Sequence, residues 1–137
     1  MDASTRLPLR LLVVEDHRDN ANLLSLLLGF SGHEVTTVHD GPSGLEAIRS
    51  GRFDVALLDI GLPRMDGYAV ALAIATEMGV DAPSLVAYTG HGQAEHHARS
   101  LAAGFCHHLV KPSSLGEILD AVAEAGSRRP AGVLLAG

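Results

Sequence analysis

Several apolar segments of this sequence end in side chains that could do chemistry. Four segment ends carry acidic, hydroxyl or basic residues: Glu15-Asp16, Asp59, Thr89 and Lys111. Three carboxylates in one place repel one another, and a divalent cation is the least costly way to keep them all ionised. All-oxygen ligands with room for water suit Mg²⁺, or Mn²⁺, better than zinc. The sequence therefore predicts a magnesium site where the segment ends meet.

Such a site favours phosphoryl transfer. One carboxylate can stay at the edge of the metal site and attack phosphorus, which gives an aspartyl phosphate. The metal and a nearby ammonium then neutralise the charge that develops on the phosphoryl oxygens, and a hydroxyl donates to one of them. Lys111 is the only lysine among ten basic residues, which singles it out as that ammonium.

A parallel sheet is expected to position these residues, because the apolar segments alternate with helical patterns. Short apolar runs predict five strands, at Leu9–Glu15, Glu34–Val38, Asp54–Asp59, Ser84–Thr89 and His107–Val110. Periodic stretches predict five helices, over 17–30, 41–50, 67–78, 93–103 and 115–125. Five βα units with short connections imply a doubly wound sheet, in which ligands bind beyond the carboxyl ends of the strands. The candidate residues stand at those ends.

Two kinds of signal mark the ends of the helices. Ser114 and Glu117 form an S-x-x-E capping box, which predicts the start of the last helix. The other four helices are each followed by a glycine suited to a left-handed cap, at Gly32, Gly51, Gly79 and Gly104.

Length and composition predict one soluble, cytoplasmic domain. The chain has 137 residues, of which 47% are apolar and 19% charged, enough for a single core. It has no run of about 18 apolar residues, no secretion signal at its start, and a single cysteine, Cys106. A formal charge of −6 with scattered basic residues predicts no nucleic-acid surface. We expect an N-terminal extension over 1–7, a domain over 8–126, and a tail over 127–137 that is frayed or serves as a linker or docking segment.

The ordered set of motifs resembles the response-regulator receiver domains of two-component signalling over about residues 8 to 126. The resemblance rests on Glu15-Asp16, DIGLPRMDG at 59–67, Thr89-Gly90 and Lys111-Pro112, in the family's order and spacing. It implies a flavodoxin-like (βα)5 three-layer sandwich with five parallel strands in the order 2-1-3-4-5. It also implies a phosphorelay switch, in which a phosphohistidine of a histidine kinase or a histidine phosphotransfer domain is the donor.

The resemblance assigns a metal site position by position. Asp59 is similar to the family's phosphoacceptor, which also contacts the metal. Asp16 corresponds to a direct metal ligand and Glu15 to one that acts mainly through water. The backbone carbonyl of Gly61, two residues past the acceptor, would complete the protein's share of the Mg²⁺ shell.

The same resemblance assigns the phosphate contacts and the switch. Thr89 would bond a phosphoryl oxygen and move on phosphorylation, and Lys111 would pair with the phosphate or with Asp59. The Lys111–Pro112 bond resembles one that is cis in the family. Where the family has an aromatic switch residue, three positions before the lysine, this chain has His108. We expect weaker or pH-dependent coupling there, because burying a protonated imidazole is costly.

The stretch GFCHHLVKP is similar to receivers of hybrid sensor histidine kinases. Eleven residues follow position 126, too few for a helix-turn-helix output domain. We therefore expect either a stand-alone receiver or the receiver of a larger kinase, monomeric or weakly dimeric. It would catalyse only its own phosphorylation and dephosphorylation, and would bind neither nucleic acid nor membrane.

Three other functions fit parts of the pattern. A phosphatase of the haloacid dehalogenase type would need a second aspartate where Gly61 stands, and a cap domain. A flavodoxin would need a Ser/Thr/Gly-rich first loop, but residues 15–20 read EDHRDN. A degenerate receiver would bind partners without being phosphorylated. The histidines do not predict a zinc site, since their spacing lacks a shared helix face or a known zinc pattern: His91, His96, His97, His107 and His108.

Overall fold

The computed structural model describes residues 8–62, 64–89, 102–111 and 113–136, with side chains through residue 127 except that of residue 89. Five strands are described: β1 (Arg10–Val14), β2 (Glu34–Val38), β3 (Val55–Asp59), β4 (Ser84–Thr89) and β5 (Phe105–Val110). The described helices are α1 (Arg18–Phe30), α2 (Gly41–Ser50), α3 (Gly67–Met78) and α4 (Leu115–Ala136), with a short 3-10 turn at Gly79–Asp81.

The five strands form one parallel sheet in the order β2-β1-β3-β4-β5. This confirms the predicted doubly wound topology. Side chains alternate along β1, with Leu12 and Val14 packing into one core cluster and Leu11 and Val13 into the other. The first cluster includes residues of α2 and α3 and the second includes residues of α1 and α4, so helices cover both faces of the sheet.

The strand bounds differ slightly from the prediction, most of all in β5. This strand begins at Phe105 rather than at residue 107, and the register between Leu85 and Val86 skips Cys106. The extra residue is a β-bulge, which interrupts the alternating pattern from which a strand start is read. The predicted helix over 93–103 lies outside the described residues, apart from its last two positions, which are helical.

The final helix is longer than predicted. Its backbone stays helical to Ala136, through most of the segment expected as a tail, instead of ending at residue 125. At Gly126, the residue after the predicted end, the helix passes close to Leu9. A Cβ at this position would lie 2.8 Å from Leu9 Cδ1. Among the described residues, no helix is long and apolar enough to cross a membrane.

Most of the predicted helix-end signals are present. The Ser114 amide donates to Glu117 Oε1 at 2.7 Å, and the Glu117 amide donates to Ser114 Oγ at 3.1 Å, which confirms the capping box. Three of the four predicted cap glycines have positive φ: Gly32, Gly79 and Gly104. The prediction for Gly51 is wrong, because its φ of −121° is extended. Its amide still bonds Ala47 O, and the chain then leaves α2 without a left-handed residue.

Candidate functional site

The carboxyl edge of the sheet brings three predicted carboxylates together. β1 and β3 are neighbouring strands, with Val14 opposite Leu58, so Glu15 and Asp59 leave the sheet side by side. One carboxylate oxygen from each of Glu15, Asp16 and Asp59 lies within 4.8 Å of the others. The glutamate is 1% exposed, and Asp16 is the most exposed of the three.

Lys111 reaches this cluster from β5, across β4. Its Nζ lies 2.9 Å from Glu15 Oε1 and 3.0 Å from Asp59 Oδ2. Burial acts to lower the pKa of Lys111, but the hydrogen bonds to the two carboxylates outweigh it and raise the pKa above its usual value. The ammonium is therefore charged at neutral pH and compensates two largely buried negative charges.

The second oxygen of each buried carboxylate is also engaged. Glu15 Oε2 accepts from the His17 amide at 3.1 Å, and Asp59 Oδ1 accepts from the Gly61 amide at 2.9 Å. The Glu15 carboxylate is thus held on both sides, whereas Asp16 is open to solvent. Gly61 has no side chain to cover the Asp59 carboxylate, although a Cβ there would lie only 3.8 Å from Oδ1. A small ligand can therefore approach the aspartate from that side.

This donor set fits a hard divalent cation. Three carboxylates supply oxygen ligands, and the exposed side of the cluster leaves room for the waters that Mg²⁺ retains. The engaged, buried Glu15 suits contact through water, and the exposed Asp16 suits direct contact. The residues present therefore match the ion that the sequence predicts.

The loop between β3 and α3 is closely packed beside Asp59. Its Arg64 has a φ of 67°, and the guanidinium Nη2 lies 2.5 Å from Asp40 Oδ2. A Cβ at Gly41 would come within 2.2 Å of Met65 O, so this backbone contact requires glycine. The Ser43 amide bonds the Asp40 carboxylate and, with Arg64, lowers its pKa. The loop that follows Asp59 is therefore anchored on the start of α2.

Some predicted site residues are described only in part. Thr89 ends β4, paired with Val110, but its side chain is outside the described part of the chain. Pro112 and Gly90 are outside it too, and with them the predicted cis bond. His108 lies half-buried in β5, opposite Ala87. Since its neighbour Leu109 packs toward α1 and α4, alternation places His108 on the opposite face of the sheet.

Sequence reasoning missed two contacts of this region. The ring of Tyr88 lies under the Lys111 ammonium, with Nζ 5.0 Å from the ring centroid. The Arg64–Asp40 pair was also not foreseen, although an Asp-Gly pair before a helix could have indicated a special contact there. Among the histidines, His107 pairs with Glu124 on α4 at 2.7 Å, and His91, His96 and His97 are not described.

Known proteins share both the sequence pattern and the fold. The response regulator receiver domain family matches residues 11–123. The chain is 33% identical over 118 residues to the sensor histidine kinase RcsC of Salmonella typhi, covering 86% of this chain and 12% of the kinase. It is 38% identical over 110 residues to the response regulator MprA of Mycobacterium ulcerans, covering 80% of this chain and 47% of that protein. The chain thus spans half or less of these relatives.

Solved structures agree with this assignment. A CheY-like receiver domain protein from Methanospirillum hungatei JF-1 superposes with a TM-score of 0.84 at 25% identity, covering 92% of this chain and 99% of that one. The receiver domain of the sensor histidine kinase PA1611 from Pseudomonas aeruginosa PAO1 superposes with a TM-score of 0.80 at 26% identity, covering 88% and 99%. That structure has a magnesium ion coordinated in its active site cleft.

Proposed function

Because this chain belongs to the response regulator receiver domain family, we propose that it accepts a phosphoryl group from a phosphohistidine onto Asp59 in a Mg²⁺-dependent reaction. The observation that carries the proposal is the placement of one ammonium between two carboxylates. Lys111 Nζ bonds both Glu15 and Asp59, beside the exposed Asp16. This arrangement supplies a nucleophile, a metal site and a cation for the phosphoryl oxygens.

In the proposed step, an Asp59 oxygen attacks phosphorus as the phosphorus–nitrogen bond of the phosphohistidine breaks. The electron pair of that bond returns to the donor imidazole. The Gly61 amide holds Asp59 Oδ1, and Lys111 moves from the carboxylates to the incoming phosphoryl oxygens. The Thr89 hydroxyl donates to another of these oxygens. Breakdown to Asp59 and inorganic phosphate by water resets the switch.

The metal would be held by Asp16, Asp59 and the carbonyl of Gly61 directly, and by Glu15 through water. When bound there, Mg²⁺ or Mn²⁺ would supply positive charge to offset that of the phosphoryl oxygens. Glu15 keeps its contact with the His17 amide and so fixes the first turn of the loop that presents Asp16.

An apolar stripe beside the site supports a helical phosphodonor, as in a histidine kinase or a histidine phosphotransfer domain. Leu23, Leu26 and Phe30 lie along one side of α1 and are exposed, the phenylalanine by 84%. A groove of about 230 Å³ connects this helix to the site and is lined by Leu23, Tyr88 and Lys111 among others. A partner helix packed on α1 could bring its phosphohistidine to Asp59.

The switch would couple Asp59 to partner binding through Thr89 and His108. The two residues stand on neighbouring strands, and a phosphoryl group that draws Thr89 inward leaves space for the half-buried imidazole. His108→Tyr should sharpen the switch, because a neutral aromatic ring is buried at lower cost. Larger phosphorylation-dependent NMR shifts on the face around β5 are expected, and unchanged shifts would contradict this role.

The proposal is tested by the intact-protein mass after incubation with Mg²⁺ and acetyl phosphate. One phosphoryl group is expected, absent with a chelator or in Asp59→Asn, and released by hydroxylamine as an acyl phosphate. Transfer from a phosphorylated histidine phosphotransfer domain then tests the natural class of donor. A folded protein that binds no Mg²⁺ and takes up no phosphoryl group from either source would instead be the alternative, a degenerate receiver that acts as a phosphorylation-independent interaction module.

A further inference from the structure

Tyr88 lies next to the proposed reaction without belonging to the predicted site. It is the residue of β4 that stands between Asp59 on β3 and Leu109 on β5 in the sheet register. Its side chain packs against the core cluster shared with α1 and α4, and it is half-buried. The aromatic ring therefore lies on β4, between β3, which carries Asp59, and β5, which leads to Lys111.

Two contacts connect Tyr88 to the lysine and to the loop that follows it. Lys111 Nζ lies 5.0 Å from the ring centroid, in range for a cation–π interaction. The backbone of Ser113, two residues beyond the lysine, faces the Tyr88 hydroxyl and acts to lower its pKa. Burial raises the pKa of Tyr88, and the Lys111 charge opposes this effect only in part. The ring is thus a neutral partner for the ammonium at physiological pH.

A neutral aromatic partner can hold the Lys111 ammonium without the negative charge that the two carboxylates carry. Lys111 must leave Glu15 and Asp59 for the phosphoryl oxygens, and its four-carbon stem allows many other positions. The groove lined by Leu24 and Ile118 opens beside the ammonium. An attractive ring face on that side restricts the ammonium to the site without adding a negative charge that would compete with phosphate.

We propose that Tyr88 is a positioning residue for phosphorylation, whose ring holds the Lys111 ammonium over the acceptor while the lysine exchanges its carboxylate partners for the phosphoryl group. This inference rests on the proposed function. It assigns no contact between Tyr88 and the phosphoryl group itself, since the tyrosine acts through Lys111.

The test uses the fact that Lys111 is the only lysine of the chain, so that isotope-labelled lysine reports one side chain. In the unphosphorylated protein, the Cε and Nζ group of Lys111 should show a ring-current shift from Tyr88. Tyr88→Leu should abolish this shift and speed exchange of the ammonium protons with solvent, and Tyr88→Phe should preserve it. The rate of phosphorylation by acetyl phosphate should fall about fivefold in Tyr88→Leu.

Val122→Ala is the matched control, because it removes buried methyl groups from the same core cluster on α4, away from the site. It should leave the lysine signals and the phosphorylation rate unchanged, although it lowers the melting temperature. Lysine signals of Tyr88→Leu that match those of the control, or an equal loss of rate in both variants, would overturn the inference. If the wild-type protein takes up no phosphoryl group, the proposed function fails, while the lysine signals still decide whether Tyr88 positions the ammonium.

Discussion

Charged residues cluster at both ends of the sheet, and the two clusters differ in burial. At the amino end, Arg10 Nε lies 3.7 Å from Glu34 Oε1, and the two side chains are 49% and 74% exposed. At the carboxyl end, Lys111 Nζ lies 2.9 Å from Glu15 Oε1, with exposures of 23% and 1%. Water and salt screen the first pair, whereas the second keeps its geometry and most of its field. Burial, more than residue type, distinguishes the proposed reactive cluster from the solvated one.

Each end of the sheet also has a cation–π contact and a surface cavity, and the two cavities differ in volume. Arg10 lies 5.7 Å from the centroid of Phe53, as Lys111 lies 5.0 Å from that of Tyr88. The hollow at the amino end, about 520 Å³, is larger than the 230 Å³ groove beside Lys111. Two arginines and two aspartates line the larger hollow, so its charges balance. The larger cavity is therefore not the one that borders the proposed site.

The largest expected effect comes from removing the cation at each end. Lys111→Met should slow phosphorylation of Asp59 by acetyl phosphate about 100-fold, because the phosphoryl oxygens lose a fixed positive charge. Arg10→Met should leave the rate unchanged and alter the free energy of unfolding by less than about 0.5 kcal/mol. Rates are measured by intact-protein mass. Equal rate losses in the two variants would show that the buried cation at the carboxyl end has no special role in phosphorylation.

A smaller effect is expected from the glycine that packs the loop after Asp59 against α2. Gly41→Ala should lower the free energy of unfolding by about 2 kcal/mol, because its Cβ would meet Met65 O. Gly29→Ala is a matched change in another helix, where a Cβ meets nothing within 4 Å. That variant should gain about 0.5–1 kcal/mol. Urea unfolding measures both, and a stable Gly41→Ala protein with unchanged Mg²⁺ affinity would show that the loop does not need this contact.

The smallest effect concerns stability in alkali. Burial opposes charge on Lys111, but its carboxylate partners raise its pKa above 10.5 in the folded protein. A raised pKa means that the folded state binds the proton more tightly than the unfolded state. The stabilisation is therefore fully present below pH 10.5 and is lost as the pH rises through the folded pKa. Urea unfolding on both sides of that pH should show a shallower decline in Lys111→Met than in Arg10→Met.

Much of the fold was predictable because its signals are local. Apolar runs and helical periodicity place the described strands and helices to within a few residues, apart from the far end of α4. The Ser114–Glu117 box joins residues three apart, so the sequence contains both partners. The bulge at Cys106 and the extended Gly51 escaped prediction, because each depends on what the backbone meets next.

By itself, the sequence determined which residue types stand at the strand ends, and hence that Asp59, Glu15 and Lys111 would meet at one edge of a parallel sheet. Only the tertiary structure decided how they meet. Lys111 bonds residues 52 and 96 positions away, and it lies over Tyr88. These distances follow from the twist, register and packing of several strands at once. Periodicity reports which face a residue occupies, and only the packed chain determines which side chains touch there.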